Sequence, residues 1–321
     1  MILTITLNPL LEKKLYFNKL SGKDNRAYKQ NYSAGGKGIN ISRQLNLLGI
    51  KNHSFIFLGG ANGKKLRAKL EEEQIHFSVV STKDETREAI LVFDEEKKEL
   101  NTYFGLNSKI SQTEIDQFLG KLEKAILNAT TVIFSGSTQS VDVSKIIKKG
   151  IELCHKHDKI SVLDTYGPNY AELIEQSPTI LHNNIEELRT SLGLPLYTEK
   201  EKLELLDDFY KKNIKLAFIT DGKNETYASK SDFHYKITNS NITEKNGTGS
   251  GDAFLSGLIY GLEKSMVFSD FTKLASAFGT ANAASWEVCK VKLEEANSFV
   301  ETTQLMEIGK KMKIINDDPT I

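Results

Sequence analysis

The sequence predicts an α/β fold: a mostly parallel sheet flanked by helices, with a small β-sheet attached. Three observations point there. Short apolar runs alternate with longer amphipathic segments along most of the chain, as in βαβ units. Two stretches break that rhythm, the polar Lys13–Tyr32 and the hairpin-like Ala89–Asp94 and Glu99–Phe104 around the charged Glu95–Lys98. The 321 residues are 39% hydrophobic and 26% charged, an ordinary globular balance over a length that can bury a large core.

Taken in order, Ile2–Leu7 is an apolar strand. It is too short, and lacks the basic residues ahead of it, for a secretory leader, so a cytoplasmic location is expected. Ile39–Leu48 has helical periodicity, Ser54–Leu58 is a strand and Lys64–Glu73 a helix. The hairpin follows, then helix Gln112–Leu127, strand Thr131–Phe134, helix Val143–His157 and strand Ser161–Leu163. Thr179–Leu181 is a strand, Ile185–Leu192 and Lys202–Tyr210 are helices, and Leu216–Thr220 is a strand. Beyond Asn246 the pattern is helical over Gly251–Leu262, Asp270–Ser285 and Thr302–Met312. Right-handed crossovers should join the parallel strands.

Composition removes several classes of function. Lys plus Arg and Asp plus Glu are 42 each, so the net charge is zero and no nucleic-acid partner is expected. No run approaches the ~20 apolar residues of a membrane span. Cys154 and Cys289 are the only cysteines, too few for a disulfide framework or a four-cysteine zinc site. His155 and His157 lie two apart on a helix and point in different directions, so no shared metal is expected.

Two glycine-rich turns carry chemistry. Asn246-Gly247-Thr248-Gly249-Ser250-Gly251-Asp252 precedes an apolar helix. Such a turn can aim backbone N–H groups at one point at a helix N-terminus and make an anion hole. Asp252 beside it has the wrong charge to bind phosphate and the right chemistry to accept a hydroxyl proton. The plainer alternative is an ordinary turn with a favourable N-terminal carboxylate. Ala34-Gly35-Gly36-Lys37-Gly38-Ile39-Asn40 also opens a helix, where the glycines admit a ligand and Lys37 supplies a cation. The alternative there is a plain turn with a solvated lysine. Neither the Lys37 turn nor the further loop Gly59-Gly60-Ala61-Asn62-Gly63-Lys64 fits a Walker A or a dinucleotide-binding pattern.

Together the turns and several shorter pieces resemble a PfkB-type carbohydrate kinase of the ribokinase-like fold, in the subgroup of 1-phosphofructokinase and tagatose-6-phosphate kinase. The pieces are Thr4-Ile5-Thr6-Leu7-Asn8-Pro9, Asn25-Arg26-Ala27, the Gly35–Asn40 turn, Glu85-Thr86-Arg87, Ser135-Gly136-Ser137, Asn184-Ile185-Glu186-Glu187 and Gly249-Ser250-Gly251-Asp252. Their order spans nearly the whole chain. The resemblance implies that Asp252 is the catalytic base and that Gly249, Ser250 and Gly251 form the anion hole. It implies that Asn8, Glu12, Gly35, Gly36, Lys37, Asn40, Arg87 and Ser137 bind the acceptor, with Lys37 and Arg87 on its phosphate. His182, Asn184, Thr220, Gly222 and Asn282 would join Gly249 and Gly251 in binding ATP. Asn184 and Glu187 would organise Mg²⁺ through water. Residues 1–10, 33–85 and 105–321 would form the large domain, and 11–32 with 86–104 a β lid that also pairs two chains into a homodimer. The expected reaction moves the γ-phosphoryl group of ATP to fructose 1-phosphate or tagatose 6-phosphate, with the wording of the Gly35–Arg43 segment leaning to the former.

Four departures bear on this reading. Glu12 stands where the subgroup usually has Asp, and His182-Asn183-Asn184 where it usually has Lys-Pro-Asn. Thr138-Gln139 replaces Leu-Pro, and Glu225 replaces a second glycine after Gly222. A histidine of ordinary pKa is mostly neutral at pH 7, so the usual fixed cation is missing at 182. A kinase of an unphosphorylated sugar or nucleoside, and an impaired sugar-phosphate or nucleotide sensor, are the competing readings.

Overall fold

The computed structural model describes residues 1–167 and 169–308. The elements in chain order are β1 (Ile2–Thr6), β2 (Leu10–Phe17), β3 (Lys29–Gly35), α1 (Lys37–Leu47), β4 (Asn52–Gly59), α2 (Gly60–Glu72), β5 (Phe77–Thr82), β6 (Glu88–Asp94) and β7 (Glu99–Phe104). Then come α3 (Gln112–Leu127), β8 (Thr131–Ser135), α4 (Val141–Lys156), β9 (Ile160–Asp164), α5 (Tyr170–Ile174), β10 (Ile180–Asn184), α6 (Ile185–Leu192) and α7 (Glu199–Lys211). The chain continues through β11 (Leu216–Thr220), β12 (Thr226–Lys230), β13 (Phe233–Thr238), α8 (Ser250–Glu263), α9 (Phe268–Ala283), α10 (Leu293–Val300) and β14 (Gln304–Ile308).

A ten-stranded sheet runs β14-β13-β12-β11-β10-β9-β8-β1-β4-β5. From β11 to β5 every pairing is parallel, and β12, β13 and β14 extend it antiparallel. The central strands are apolar on both faces, as burial under helices on two sides requires. In β1, Leu3 and Ile5 pack into the core shared with α3, α4 and α7, while Ile2 packs with α1, α8 and α9. α2 covers Ile56 and Leu58 through Leu66 and Leu70.

The second sheet has the order β3-β2-β6-β7. β2 pairs parallel with β6, and its other pairings are antiparallel. Its strands reach Leu10 and Gly35, beyond the span the polar stretch suggested. Four passages join it to the large sheet and its helices. Leu10 follows β1 by four residues, Gly35 precedes α1 by two, Glu88 follows β5 by six and Phe104 precedes α3 by eight.

One expected helix is corrected. Leu305 and Ile308 have an i, i+3 spacing that reads as helix, but Gln304–Ile308 pairs with β13 as an edge strand, Leu305 opposite Ile237. The rest of that predicted helix, 309–312, lies outside the described residues. The strands β5, β12 and β13 and the helices α5 and α10 carry patterns too short or too polar to stand out in the sequence.

Candidate active site

The C-terminal ends of the parallel strands converge on one cavity of about 990 Å³, at the position where open α/β sheets bind ligands. The Asp252 turn forms one wall. Gly249 has φ 76°, and a side chain there would drive into Val288, so two independent constraints demand glycine. The first i→i−4 bond of α8 runs from Ala253 N–H to Gly249 O at 2.8 Å, so the amides of Gly251 and Asp252 lie ahead of it with no intrahelical acceptor. These amides, on a 14-residue helix, are suited to an anion.

Asp252 is buried, and burial pushes its carboxyl up to about 7, with the Lys37 ammonium pulling the other way. Asn40 Nδ2 donates to its Oδ2 at 2.8 Å. Raised by desolvation, the carboxylate becomes a competent proton acceptor near neutral pH.

The centre of the site is a residue that the sequence reading missed. Asp164, at the end of β9, is fully buried. It accepts from Ser135 Oγ at 2.5 Å, from Lys37 Nζ at 3.1 Å and from His182 Nδ1 at 3.1 Å. Burial works against its charge, but Lys37 and these hydrogen bonds hold it below the usual carboxylate range. Lys37 Nζ also pairs with Glu187 Oε1 at 2.5 Å. Burial opposes the ammonium, and the carboxylates of Asp164, Glu187 and Asp252 keep its pKa raised.

His182 is buried, and its ring stacks on Phe254 at 5.2 Å between centroids. A side chain at Gly251 would come within 3.2 Å of His182 Cε1, so the imidazole lies directly against the phosphate turn. With Nδ1 on Asp164, its Nε2 is buried without a hydrogen-bond partner among the described residues.

The opposite end of the cavity is organised around Arg87. Glu85 accepts from Asn62 N at the start of α2, and Thr86 is tied to Gly59 in both directions, so Arg87 leaves a clamped backbone. Its Nη2 donates to Asn8 O at 3.0 Å and its Nη1 to Asn107 Oδ1 at 3.3 Å, while Nε is buried with no acceptor. Among the described residues no carboxylate pairs with it, and burial lowers its pKa. Asn8 Nδ2 donates to Ser137 Oγ at 3.1 Å and to Asn107, which leaves Asn8 Oδ1 buried without a partner. The unpartnered Arg87 Nε–H and its unneutralised guanidinium suit an anion, and the unpartnered Asn8 Oδ1, an acceptor, suits a hydroxyl beside it.

Glu12 lies on this side but folds back. Its carboxylate packs on Gly35 and accepts from Ser33 Oγ at 2.7 Å, and burial pushes its pKa up. Gly36 has φ 116°, which lets the chain turn tightly into α1 over Thr6. Gly36, Lys37 and Asn40 line the cavity, and Gly35 lies behind Glu12 instead.

The remaining expected residues divide. Thr220, Gly222 and Asn184 line the cavity at the ends of β11 and β10. Asn282 does not. It is fully buried behind the wall, donating to Thr248 O at 2.9 Å and Ser250 Oγ at 3.1 Å and accepting from Cys289 N at 2.8 Å. It braces the Asp252 turn from behind and is not among the residues that line the cavity. The lining residues Asn239, Ser240, Ser276 and Thr280 were not foreseen.

Asn184 and Glu187 form a capping box on α6: Asn184 Oδ1 accepts from Glu187 N at 2.8 Å, and Glu187 Oε2 from Asn184 N at 3.2 Å. No cluster of three or more His, Cys, Asp or Glu among the described residues could hold a metal directly. Asn184 lines the cavity, whereas Glu187 does not, its Oε1 being paired with Lys37 and its Oε2 accepting from Asn184 N. The donors present fit an ion that arrives with its phosphates and keeps water ligands, with Asn184 the nearer of the two.

Known proteins resemble the chain over nearly its whole length. Residues 4–291 match the family model of the pfkB family carbohydrate kinases. A tagatose-6-phosphate kinase from Staphylococcus epidermidis is 26% identical over 319 residues, 98% of this chain and 99% of that one. A 1-phosphofructokinase from Borreliella burgdorferi is 26% identical over 296 residues, 90% of this chain and 94% of that one. Among solved structures, a Thermotoga maritima protein described as a possible 1-phosphofructokinase superposes with TM-score 0.85 at 22% identity, covering 96% of this chain and all of the other. The phosphofructokinase-2 from Escherichia coli superposes with TM-score 0.85 at 18% identity, covering 94% of this chain and 98% of that one. These likenesses establish a ribokinase-like fold, and the match over nearly the whole length shows that the chain belongs to the pfkB family of carbohydrate kinases.

Proposed function

We propose that the protein transfers the γ-phosphoryl group of ATP to a hydroxyl of a ketohexose phosphate, fructose 1-phosphate or tagatose 6-phosphate, giving a bisphosphate. Arg87 is the observation that carries this reading. It is a clamped guanidinium without a carboxylate partner among the described residues, on the acceptor side of a kinase cavity. A neutral sugar gives such a cation nothing to neutralise, whereas a phosphate fits its planar fork.

In this reading Asp252 removes the acceptor proton and the Gly249–Asp252 amides bind the phosphoryl group in transit. Mg²⁺ bound with ATP would neutralise phosphate charge, and Asn184 and Glu187 would hold it through water. The lysine usual at 182 is absent, but Lys37 shares Asp164 with His182 and so brings a fixed charge into the same network. The small sheet contributes Leu10, Glu12, Ala89 and Leu91 to the cavity wall, which supports a role as a lid that excludes water. Tyr103, Phe104 and Leu106 are exposed at its edge, an apolar surface suited to a second copy of the chain.

The test is ADP release with Mg·ATP against fructose 1-phosphate, tagatose 6-phosphate, fructose 6-phosphate and the free sugars. Turnover confined to a phosphorylated ketose is expected. Turnover with free sugars alone would remove Arg87 from the argument. No turnover with any acceptor, in protein that binds ATP, would favour a sensor.

A further inference from the structure

Asp252 is the base of the reading above, and its carboxylate is held by Asn40 on the cavity wall, which is in turn held by a residue behind the wall. Asn40 Nδ2 donates to Asp252 Oδ2, and an asparagine amide has two ends of nearly equal shape. Which end faces Asp252 must be set by a neighbour. That neighbour is Arg43, one turn further along α1. Arg43 Nη1 donates to Asn40 Oδ1 at 2.7 Å. Arginine has no acceptor, so the amide oxygen must face it and the NH₂ must face the aspartate.

Arg43 is itself held on every remaining side. Its Nη2 donates to Ala34 O at 2.5 Å, and Nε and Nη2 grip the Glu73 carboxylate at 2.6 and 3.2 Å. Ala34 ends the small sheet's β3, and Glu73 caps the C-terminus of α2. The relay Glu73–Arg43–Asn40–Asp252 thus leads from the surface to the phosphate turn. Among the described residues Asp252 Oδ1 has no hydrogen-bond donor, so the relay leaves one carboxylate oxygen for the incoming proton.

We propose that Arg43 is a positioning residue that locks the Asn40 amide with its NH₂ toward Asp252, and so determines which carboxylate oxygen takes the acceptor's proton. The charged and titratable groups that act on Asp252 are Lys37 on α1, Asp164 on β9, Glu187 on α6 and Cys289 after α9, while Arg43 and Glu12 face Cys289 and His182 pairs with Asp164. Lys37 supplies the fixed attraction, Asp164 and Glu187 oppose ionisation, and Asn40 adds the directional donor that stabilises the charged form.

The test needs no sugar. The Asp252 carboxyl is followed by pH titration of protein carrying ¹³C-carboxyl aspartate, its signal assigned by loss in Asp252→Asn. Arg43→Met should raise the Asp252 midpoint by about one pH unit, a tenfold shift toward the protonated form. Arg43→Lys, which can still donate to Asn40, should restore most of it. The decisive arm is a double-variant cycle. In an Asn40→Ala background, Arg43→Met should add no further shift. A full shift there means that the Arg43 charge acts through space, and an unmoved midpoint in Arg43→Met alone means that it does not act at all. Either result overturns the proposal. Should Arg43→Met not fold, Glu73→Gln loosens the same grip from the surface and should move the midpoint in the same direction, while an unmoved midpoint there counts against the relay. Because the titration uses no acceptor, the relay and the sugar-phosphate reading can fail independently.

Discussion

Two cations of the cavity, Lys37 and Arg87, are placed differently. Lys37 lies between Asp164 and Glu187, and its charge is already balanced. Among the described residues Arg87 donates only to carbonyl and amide oxygens, its guanidinium lies over the Phe104 ring, and one of its donors has nothing to bond. The difference shows where a ligand must bring negative charge of its own. A balanced cation holds architecture and tunes its neighbours. An unbalanced one, partly buried, is unfavourable until an anion arrives.

The strongest test lies beside the balanced end. Asp252→Asn should lower turnover by about 10³-fold with ATP binding retained, read by steady-state ADP release and nucleotide titration. The same variant should be more stable than the parent above pH 7. Asp252 keeps its proton to about 7 when folded, whereas an unfolded aspartate loses it near pH 4. Its contribution to stability is therefore full below about pH 4 and is lost as pH rises through about 7. Thermal melts should show an advantage for the variant at pH 8 that shrinks toward pH 4. A variant that turns over normally would end the assignment of the base.

Next come the cations themselves. Arg87→Ala should raise KM for the phosphorylated acceptor by about 10²-fold, with KM for ATP within about twofold and little change in melting temperature. Lys37→Met should do the reverse on stability. It strands Asp164 and Glu187, at a penalty on the order of 3 kcal/mol. Equal melting temperatures in the two variants would erase the distinction drawn between them. A smaller effect is the pH dependence of the parent. Turnover should climb about tenfold per unit below about 7 and level off above it, following the Asp252 carboxyl. A profile flat from pH 5 to 9 would contradict this. The smallest change is Glu12→Asp. Shortening the side chain lifts the carboxylate off Gly35 and Ser33, and a few-fold change in preference between fructose 1-phosphate and tagatose 6-phosphate is expected from acceptor competition.

Much of the site was legible because its backbone demands are written in glycine. Gly36 and Gly249 occupy conformations that other residues resist, so the two turns announced themselves. Asp164 was not legible. It follows an apolar strand with no unusual neighbour, and its role arises only where α1, β8 and β10 bring Lys37, Ser135 and His182 to one carboxylate. The position of Asn282 behind the cavity wall was not legible for a related reason. Sequence locates a polar residue on a helix but not on which side of a cavity wall it stands. Glu187 combined two readings, since the capping motif is real and its second oxygen still reaches Lys37. In the fold, the parallel core was evident from its two-faced apolar strands, whereas β14 was read as helix because its pairing partner β13 lies 66 residues earlier by number, Gln304 opposite Thr238.

The small sheet meets the rest of the chain at four passages, after β1, before α1, after β5 and before α3. The first holds Asn8 and the third Arg87, and both residues line the cavity. In the proposed function the residues that grip the acceptor would thus also be the ones through which the sheet tilts. Closing and gripping would then be a single mechanical event, and an insertion of the kind the open Gly22 turn accommodates would uncouple them in either passage.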